Sequence, residues 1–232
     1  MKKLLILALF SVVGFARASV LYYGGDIDLN DPNQNGLADE TDAIVGGSPY
    51  GAATYSNFTL GSNSHITDLF ANELISNDLN GQAYWEIRTG MSEGNGGTLV
   101  AGGMVSAATI TATGRSDFGF TEYNVDVNVS SLNINLNGGT QYWMTVGQYD
   151  PNGGGRAFNS NTDRLNGVGT HANDLEFFNS GFFGANYTNA DNEGVFSTFS
   201  DGVLGQAVPE PMSFAVLGIG ALALISRRRR SK

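Results

Sequence analysis

Between Tyr123 and Val129 the chain alternates without a break: Tyr123, Val125, Val127 and Val129 fall on one side, Asn124, Asp126 and Asn128 on the other. A period of two belongs to a β-strand with one buried face and one wet face. After Ser130-Ser131 the pattern resumes, with Leu132, Ile134 and Leu136 set against Asn133, Asn135 and Asn137. Asn137-Gly138-Gly139 then predicts a turn, and residues 141–148 the next strand. Further strands are expected at 54–60, 65–69, 83–89, 98–101 and 105–113, with a late one around 195–199. The one stretch whose spacing also suits a short helix is 66–75.

Gly94-Asn95-Gly96-Gly97, Gly102-Gly103 and the run from Asp150 to Gly155 separate these segments. Gly and Asn reach positive φ at little cost, so such clusters read as turns. Residues 159–191, rich in Asn, Gly and Phe, read as long loops with a short strand. Many short strands at this spacing imply an all-β protein, a β-sandwich with a jelly-roll-like order. No repeat of fixed period and no second domain interrupts the body, residues 19–207.

The two ends have a different character. Residues 1–18 carry Lys2 and Lys3, an apolar run from Leu4 to Phe15, and Ala16-Arg17-Ala18. A positive start, a short apolar stretch and small residues at −3 and −1 predict a secretory signal peptide, with Ser19 as the mature start. The apolar run is shorter than the roughly 20 residues that a membrane span needs, and a retained anchor is the alternative. At the far end, Val208-Pro209-Glu210-Pro211 leads into an apolar run from Met212 to Ile225, then Ser226 and the cluster Arg227 to Arg230. As a transmembrane helix that run rises about 21 Å, less than a hydrocarbon core of about 30 Å, so it needs help from its flanks. The arginines supply it by snorkelling and by holding their end in the cytoplasm.

This three-part tail, residues 208–232, resembles the PEP-CTERM sorting signal. The resemblance implies that Pro209, Glu210 and Pro211 are recognised by an exosortase, a membrane protease-transpeptidase that removes the tail. Arg227, Arg228, Arg229 and Arg230 are then the membrane stop. The chain is the substrate in that reading: anchored in the inner membrane before processing, then at the cell surface or outside the cell. An ordinary single-pass anchor is the alternative. Within the body, Tyr84-Trp85-Glu86-Ile87-Arg88, Gly94 to Leu99 and Thr113 to Tyr123 are similar to exported PEP-CTERM proteins of undefined biochemical role. That similarity implies export and a β-sandwich and supplies no active site.

Charge narrows the partners. Eight of the 12 Lys and Arg lie in the end segments, so the body keeps only Arg88, Arg115, Arg156 and Arg164, has no lysine, and carries a net −17. So acidic a body repels phosphate backbones, which argues against nucleic acid and leaves cations or neutral polymers such as polysaccharide. With no cysteine there is neither a disulfide nor a thiol nucleophile.

One stretch has the order of a calcium loop. Between Asp31 and Asp42, oxygen-bearing side chains fall at Asp31, Asn33, Asn35, Asp39 and Asp42, with Gly36 at the sixth position. This EF-hand-like spacing also resembles thrombospondin type 3 calcium loops, and calcium takes six to eight hard oxygens around a tight turn. Asp26 and Asp28 lie close enough to add charge; an Asx-turn without metal is the alternative. His65 and His171 stand outside any metal-ligand spacing, and no nucleophile elbow or phosphate loop is present. Asp117 with Glu122, or Asp174 with Glu176, are candidate glycosidase pairs. Trp85, Trp143, Tyr84, Tyr142 and Tyr149 are either a sugar-stacking platform or core. The expectation is an exported cell-envelope or extracellular-matrix protein acting by structure or binding rather than catalysis. A carbohydrate-binding module for exopolysaccharide, with or without calcium, comes second and a glycoside hydrolase third.

Overall fold

The computed structural model describes residues 18–30, 35–42, 51–76, 79, 81–150, 156–171, 175–190 and 198–208, and of Thr41 and Asp42 the backbone alone. The expected leader, apart from Ala18, and the tail from Pro209 onward lie outside the described residues. Among those residues no helix is long and apolar enough to cross a membrane.

Strands dominate. In chain order they are β1 (Ser19–Tyr23), β2 (Gly36–Ala38), β3 (Glu40–Asp42), β4 (Ala53–Thr59), β5 (Ser64–Ile75) and β6 (Ala83–Thr89). Next come β7 (Thr98–Val105), β8 (Thr109–Asp117), β9 (Phe120–Asn128), β10 (Asn135–Leu136) and β11 (Gln141–Asp150). The series ends with β12 (Ala157–Thr162), β13 (Phe177–Ser180), β14 (Ala185–Asn189), β15 (Thr198–Phe199) and β16 (Asp201–Ala207).

They form two sheets packed as a sandwich. In the first, β1 lies beside β16 and β16 beside β5. The long β5 takes β16 and then β12 along one edge, and β10 and then β9 along the other, with β8 outside β9. The second sheet runs β14-β13-β4-β11-β6-β7. All of these pairs are antiparallel except β3, which joins β11 in parallel.

The apolar members of each alternating strand meet in one core. Val125, Val127 and Val129 of the predicted strand contribute, as do Ile66, Leu69, Ala71 and Ile75 of β5. From the other sheet come Phe58, Trp85, Ile87, Tyr142, Met144 and Val146. Burying a side chain of this size is worth about 1.5–3 kcal/mol, so this interior, rather than any cross-link, holds the sheets together.

Several expectations need correction. Residues 66–75 are strand, not helix. Thr67 is an extra residue against β16, where Leu204 pairs with Asp68 but Gly205 with Ile66. That bulge puts Ile66 and Leu69 on one face three residues apart, which imitates a helical spacing. The Gly102-Gly103 turn is instead inside β7. A Cβ on Gly102 would come within 2.9 Å of the Trp85 carbonyl oxygen, so this glycine serves the close approach of β6 and β7. The alternation over 132–136 yields only β10, because a 3₁₀ turn at Ser130–Leu132 and the left-handed Asn133 (φ 53°) interrupt it. Residues 159–191 hold most of β12, all of β13 and all of β14, not one short strand.

Candidate functional site

The expected calcium-loop residues go to different neighbours. Asp31 and Asn33 lie outside the described residues, and the Asp42 backbone pairs with Asp150. The carbonyl of Asn35 accepts the Asn161 N–H at 2.7 Å, and its Oδ1 accepts from Asn161 Nδ2. Asp39 is buried and accepts the Thr54 hydroxyl at 2.5 Å. Asp26 is held by Tyr23, Arg115 and Asn166, and Asp28 accepts the Asn30 N–H as an Asx-turn. Among the described residues no group of three or more His, Asp or Glu side chains is arranged to hold a metal ion.

The aromatic candidates are packed inside. Trp85 belongs to the main core. Trp143 joins Tyr55, Met91 and Phe177 in a second cluster and donates to the Leu175 carbonyl at 2.9 Å. Tyr84 and Tyr142 are buried and Tyr149 is half-buried. Among the described residues the exposed aromatics are Phe118, Phe182 and Phe183. The last two meet edge-to-face at 4.9 Å in the β13–β14 turn.

Of the candidate carboxylate pairs, Asp117 and Glu122 have separate partners. Asp117 accepts the Phe118 N–H in the exposed β8–β9 turn, while Glu122 is buried. Asp174 lies outside the described residues. Glu176 is buried and takes hydrogen bonds from Asn57 N (2.8 Å) and Thr198 (2.8 Å), with His171 Nε2 at 2.6 Å.

Two polar networks of the first sheet and the interior differ in how completely they are satisfied. The first lies on the outer side of the first sheet. Arg115 reaches Glu122 at 2.5 Å and Asp26 at 2.7 Å, while Thr113 and Ser160 donate to the same Glu122 carboxylate. Tyr23, Asn72, Asn124 and Ser200 extend it. Each charge there has a partner, which is how a buried polar group avoids its desolvation cost.

The second network lies between the sheets. Glu73 stands between Ala71 and Ile75 on the core face of β5. Asn159 is its register partner on β12, and Asp201 on β16 is opposite Ala71. Facing them, Thr54 and Ser56 precede Phe58 on the core face of β4. Ser56 donates to Asp201 Oδ2 at 2.7 Å. Asn159 Nδ2 donates to Asp201 Oδ1 at 2.7 Å and to Thr54 Oγ1 at 3.0 Å. Thr54 in turn donates to Asp39. Unlike the outer network, this one holds unmatched atoms: both Glu73 oxygens and Asn159 Oδ1 are buried with no hydrogen bond.

Three carboxylates without an arginine among them cannot all stay ionised in a dry interior. Burial pushes Asp39 and Glu73 well above the usual carboxylate range, and neighbouring acidic charges add to the rise. For Glu73 the Gln148 backbone amide acts the other way, favouring the charged form, and is outweighed by burial. Burial likewise lifts Asp201 to about 7, against the hydrogen bonds from Ser56 and Asn159. The result is a set of carboxylic acids able to give and take protons away from water, beside a hydroxyl and a carboxamide. Perturbed titratable groups that face one another are the usual mark of a chemical site. Sequence reading missed Thr54, Glu73, Asn159 and Asp201; the one legible sign was Asn72-Glu73 set among the apolar residues from Leu69 to Ile75.

No protein-family profile matches the chain, and no curated protein matches it either. Among solved structures it is similar to the infectious bursal disease virus VP2 subviral particle, at 14% identity and a TM-score of 0.24. That match covers 92% of this chain and 50% of the viral one, so the chain spans about half the length of that structure.

Proposed function

We propose that this chain is an exported protein of the cell envelope or extracellular matrix, delivered through a PEP-CTERM-type tail and acting by structure or binding. The observation that carries the reading is the tail itself: Pro209-Glu210-Pro211, the apolar run to Ile225 and the arginines 227–230, in that order. The body suits the role. Its four arginines are all engaged internally, three in ion pairs and Arg164 against Tyr22 and the Gly169 carbonyl. What faces outward is acidic and free of lysine. The jelly-roll-like order belongs to this proposal: β1-β16-β5-β9 and β4-β11-β6-β7 put the first strand beside the last and alternate later strands between sheets.

Intact mass after expression in a host with an exosortase tests it. The mature protein should lack Met212 to Lys232, and alanines at Pro209, Glu210 and Pro211 should leave it in the membrane. A retained tail in the unaltered protein favours a plain anchor.

One observation favours exopolysaccharide binding as a second reading: the Phe182–Phe183 pair is 67% and 55% exposed. Flat aromatic faces held out by a turn can stack on sugar rings. Replacing both by serine should then weaken retention on exopolysaccharide without moving the melting temperature. Unchanged retention leaves the structural reading.

A further inference from the structure

We infer that Thr54 and Asn159 join in an intramolecular ester that covalently ties the second sheet to the first. The geometry is that of a nucleophile, a base, an electrophile and an acid in one line. Thr54 Oγ1, on β4, donates to Asp39 Oδ2 at 2.5 Å, so a proton acceptor is already in place. The same oxygen lies 3.0 Å from the carboxamide nitrogen of Asn159, on β12. That nitrogen is 2.7 Å from Asp201 Oδ1. The attached Cγ is one C–N bond of about 1.3 Å further on, so it lies no more than about 4.3 Å from the same oxygen.

The reaction balances without any outside reagent. Thr54 Oγ attacks Asn159 Cγ as its hydroxyl proton passes to Asp39 in its ionised form, the form that the Thr54 hydrogen bonds favour against burial and whose raised proton affinity makes it the stronger base. A tetrahedral oxyanion forms at Asn159 Oδ1. The Cγ–Nδ2 bond then breaks, the nitrogen takes a proton from the protonated Asp201, and ammonia departs. One C–O bond replaces one C–N bond, nothing is oxidised or reduced, and the proton gained by Asp39 equals the one lost by Asp201.

The two unmatched groups complete the arrangement. Asn159 Oδ1 has no hydrogen bond, and neither has either oxygen of Glu73, its neighbour on the ladder. Kept neutral by burial, Glu73, the ladder partner of Asn159, is a carboxylic acid with a proton to offer the oxygen on which negative charge develops. Exclusion of water protects the product, since Thr54, Asn159, Asp201 and Glu73 are all fully buried. A chain with no cysteine gains by this route a tie that does not depend on redox conditions.

Trypsin makes the test simple, because the body offers it only four arginines. Residues 19–88 contain Thr54, and residues 157–164, between Arg156 and Arg164, contain Asn159. The full-length protein, isolated as folded, is denatured, digested and analysed by tandem mass spectrometry. The expected result is peptide 157–164 joined to peptide 19–88, with a combined mass lower by one ammonia, about 17 Da. A succinimide elsewhere loses the same mass but joins nothing. Mild base should separate the pair, leaving Asp at position 159. Thr54→Val, which keeps the shape and removes the nucleophile, should release 157–164 free, and Asp39→Asn should do so in most of the protein. Recovery of 157–164 free and unmodified from the unaltered protein overturns the proposal. So does a cross-link that survives Thr54→Val.

Discussion

Ser56 on β4 donates to Asp201 on β16 across the full thickness of the sandwich, 2.7 Å between oxygens, with both residues out of contact with water. A hydroxyl and a carboxyl thus occupy a layer that valines and leucines fill elsewhere. Asp201 keeps its proton there up to about pH 7, because burial disfavours the anion more than its hydrogen bonds favour it.

The first prediction follows from the sign of that shift. Between about pH 4 and pH 7 the native state holds a proton on Asp201 that the unfolded chain has released, so stability falls as pH rises through this window. For Asp201 alone the change is on the order of 4 kcal/mol. Glu73 and Glu176, also raised by burial, act in the same direction. Urea midpoints at fixed ionic strength should therefore be higher near pH 4.5 than near pH 8. Asp201→Asn should flatten part of the slope. A midpoint that climbs from pH 4.5 to 8 would mean the interior carboxylates are held charged.

The outer network predicts the opposite dependence on a partner. Glu122 has no exposure and relies on Arg115, whose side chain is 24% exposed. Arg115→Ala strands a buried charge and should cost about 3–5 kcal/mol. Replacing both residues, Arg115→Met with Glu122→Leu, should cost less than the single change, because no charge is left unpaired. Denaturant midpoints of the two variants decide it; equal losses would show that Glu122 does not depend on Arg115.

Calcium is the third. If residues 31–42 form a cation loop, calcium at one hundred times its Kd stabilises the native state by about 2.7 kcal/mol, a shift of several degrees in melting temperature. Asp31→Ala with Asp42→Ala should abolish the shift. Identical melting in millimolar calcium and in chelator favours the Asx-turn.

How much of this was legible depended on how local the determining forces were. Residues 83–89 were predicted as a strand and are β6, and the alternating Tyr123 to Val129 gave the core face of β9 correctly, because pattern and pairing agree there. Residues 66–75 misled because one bulged residue, Thr67, shifts the phase of the strand, and a bulge is set by the partner β16, far along the chain. β12 carries Asn159, Ser160, Asn161 and Thr162 in succession, with no apolar alternation to betray it. Its polar side chains are answered from elsewhere in the chain: Asn159 by Thr54 and Asp201, Ser160 by Glu122, Asn161 by Asn35 and Thr162 by the Asp26 carbonyl. The interior chemistry was illegible for the same reason: Glu73, Asn159 and Asp201 come from three strands, Thr54 and Ser56 from a fourth, and no spacing along the chain links them.

β16 has a consequence for the order in which the molecule can be made. It lies between β1 and β5, so the opening strand Ser19–Tyr23 has its main ladder only with the closing strand Asp201–Ala207. A chain that emerges from its amino end must wait for nearly its whole length before that seam closes. Until then β5 shows an open edge from Ser64 to Ala71, and β1 has nowhere to dock. Such distant pairing makes folding slow, on the scale of milliseconds to seconds, and late in biogenesis. The half-emerged polypeptide is the vulnerable species, open to edge-to-edge association until residues 201–207 arrive to cover β5 and receive β1.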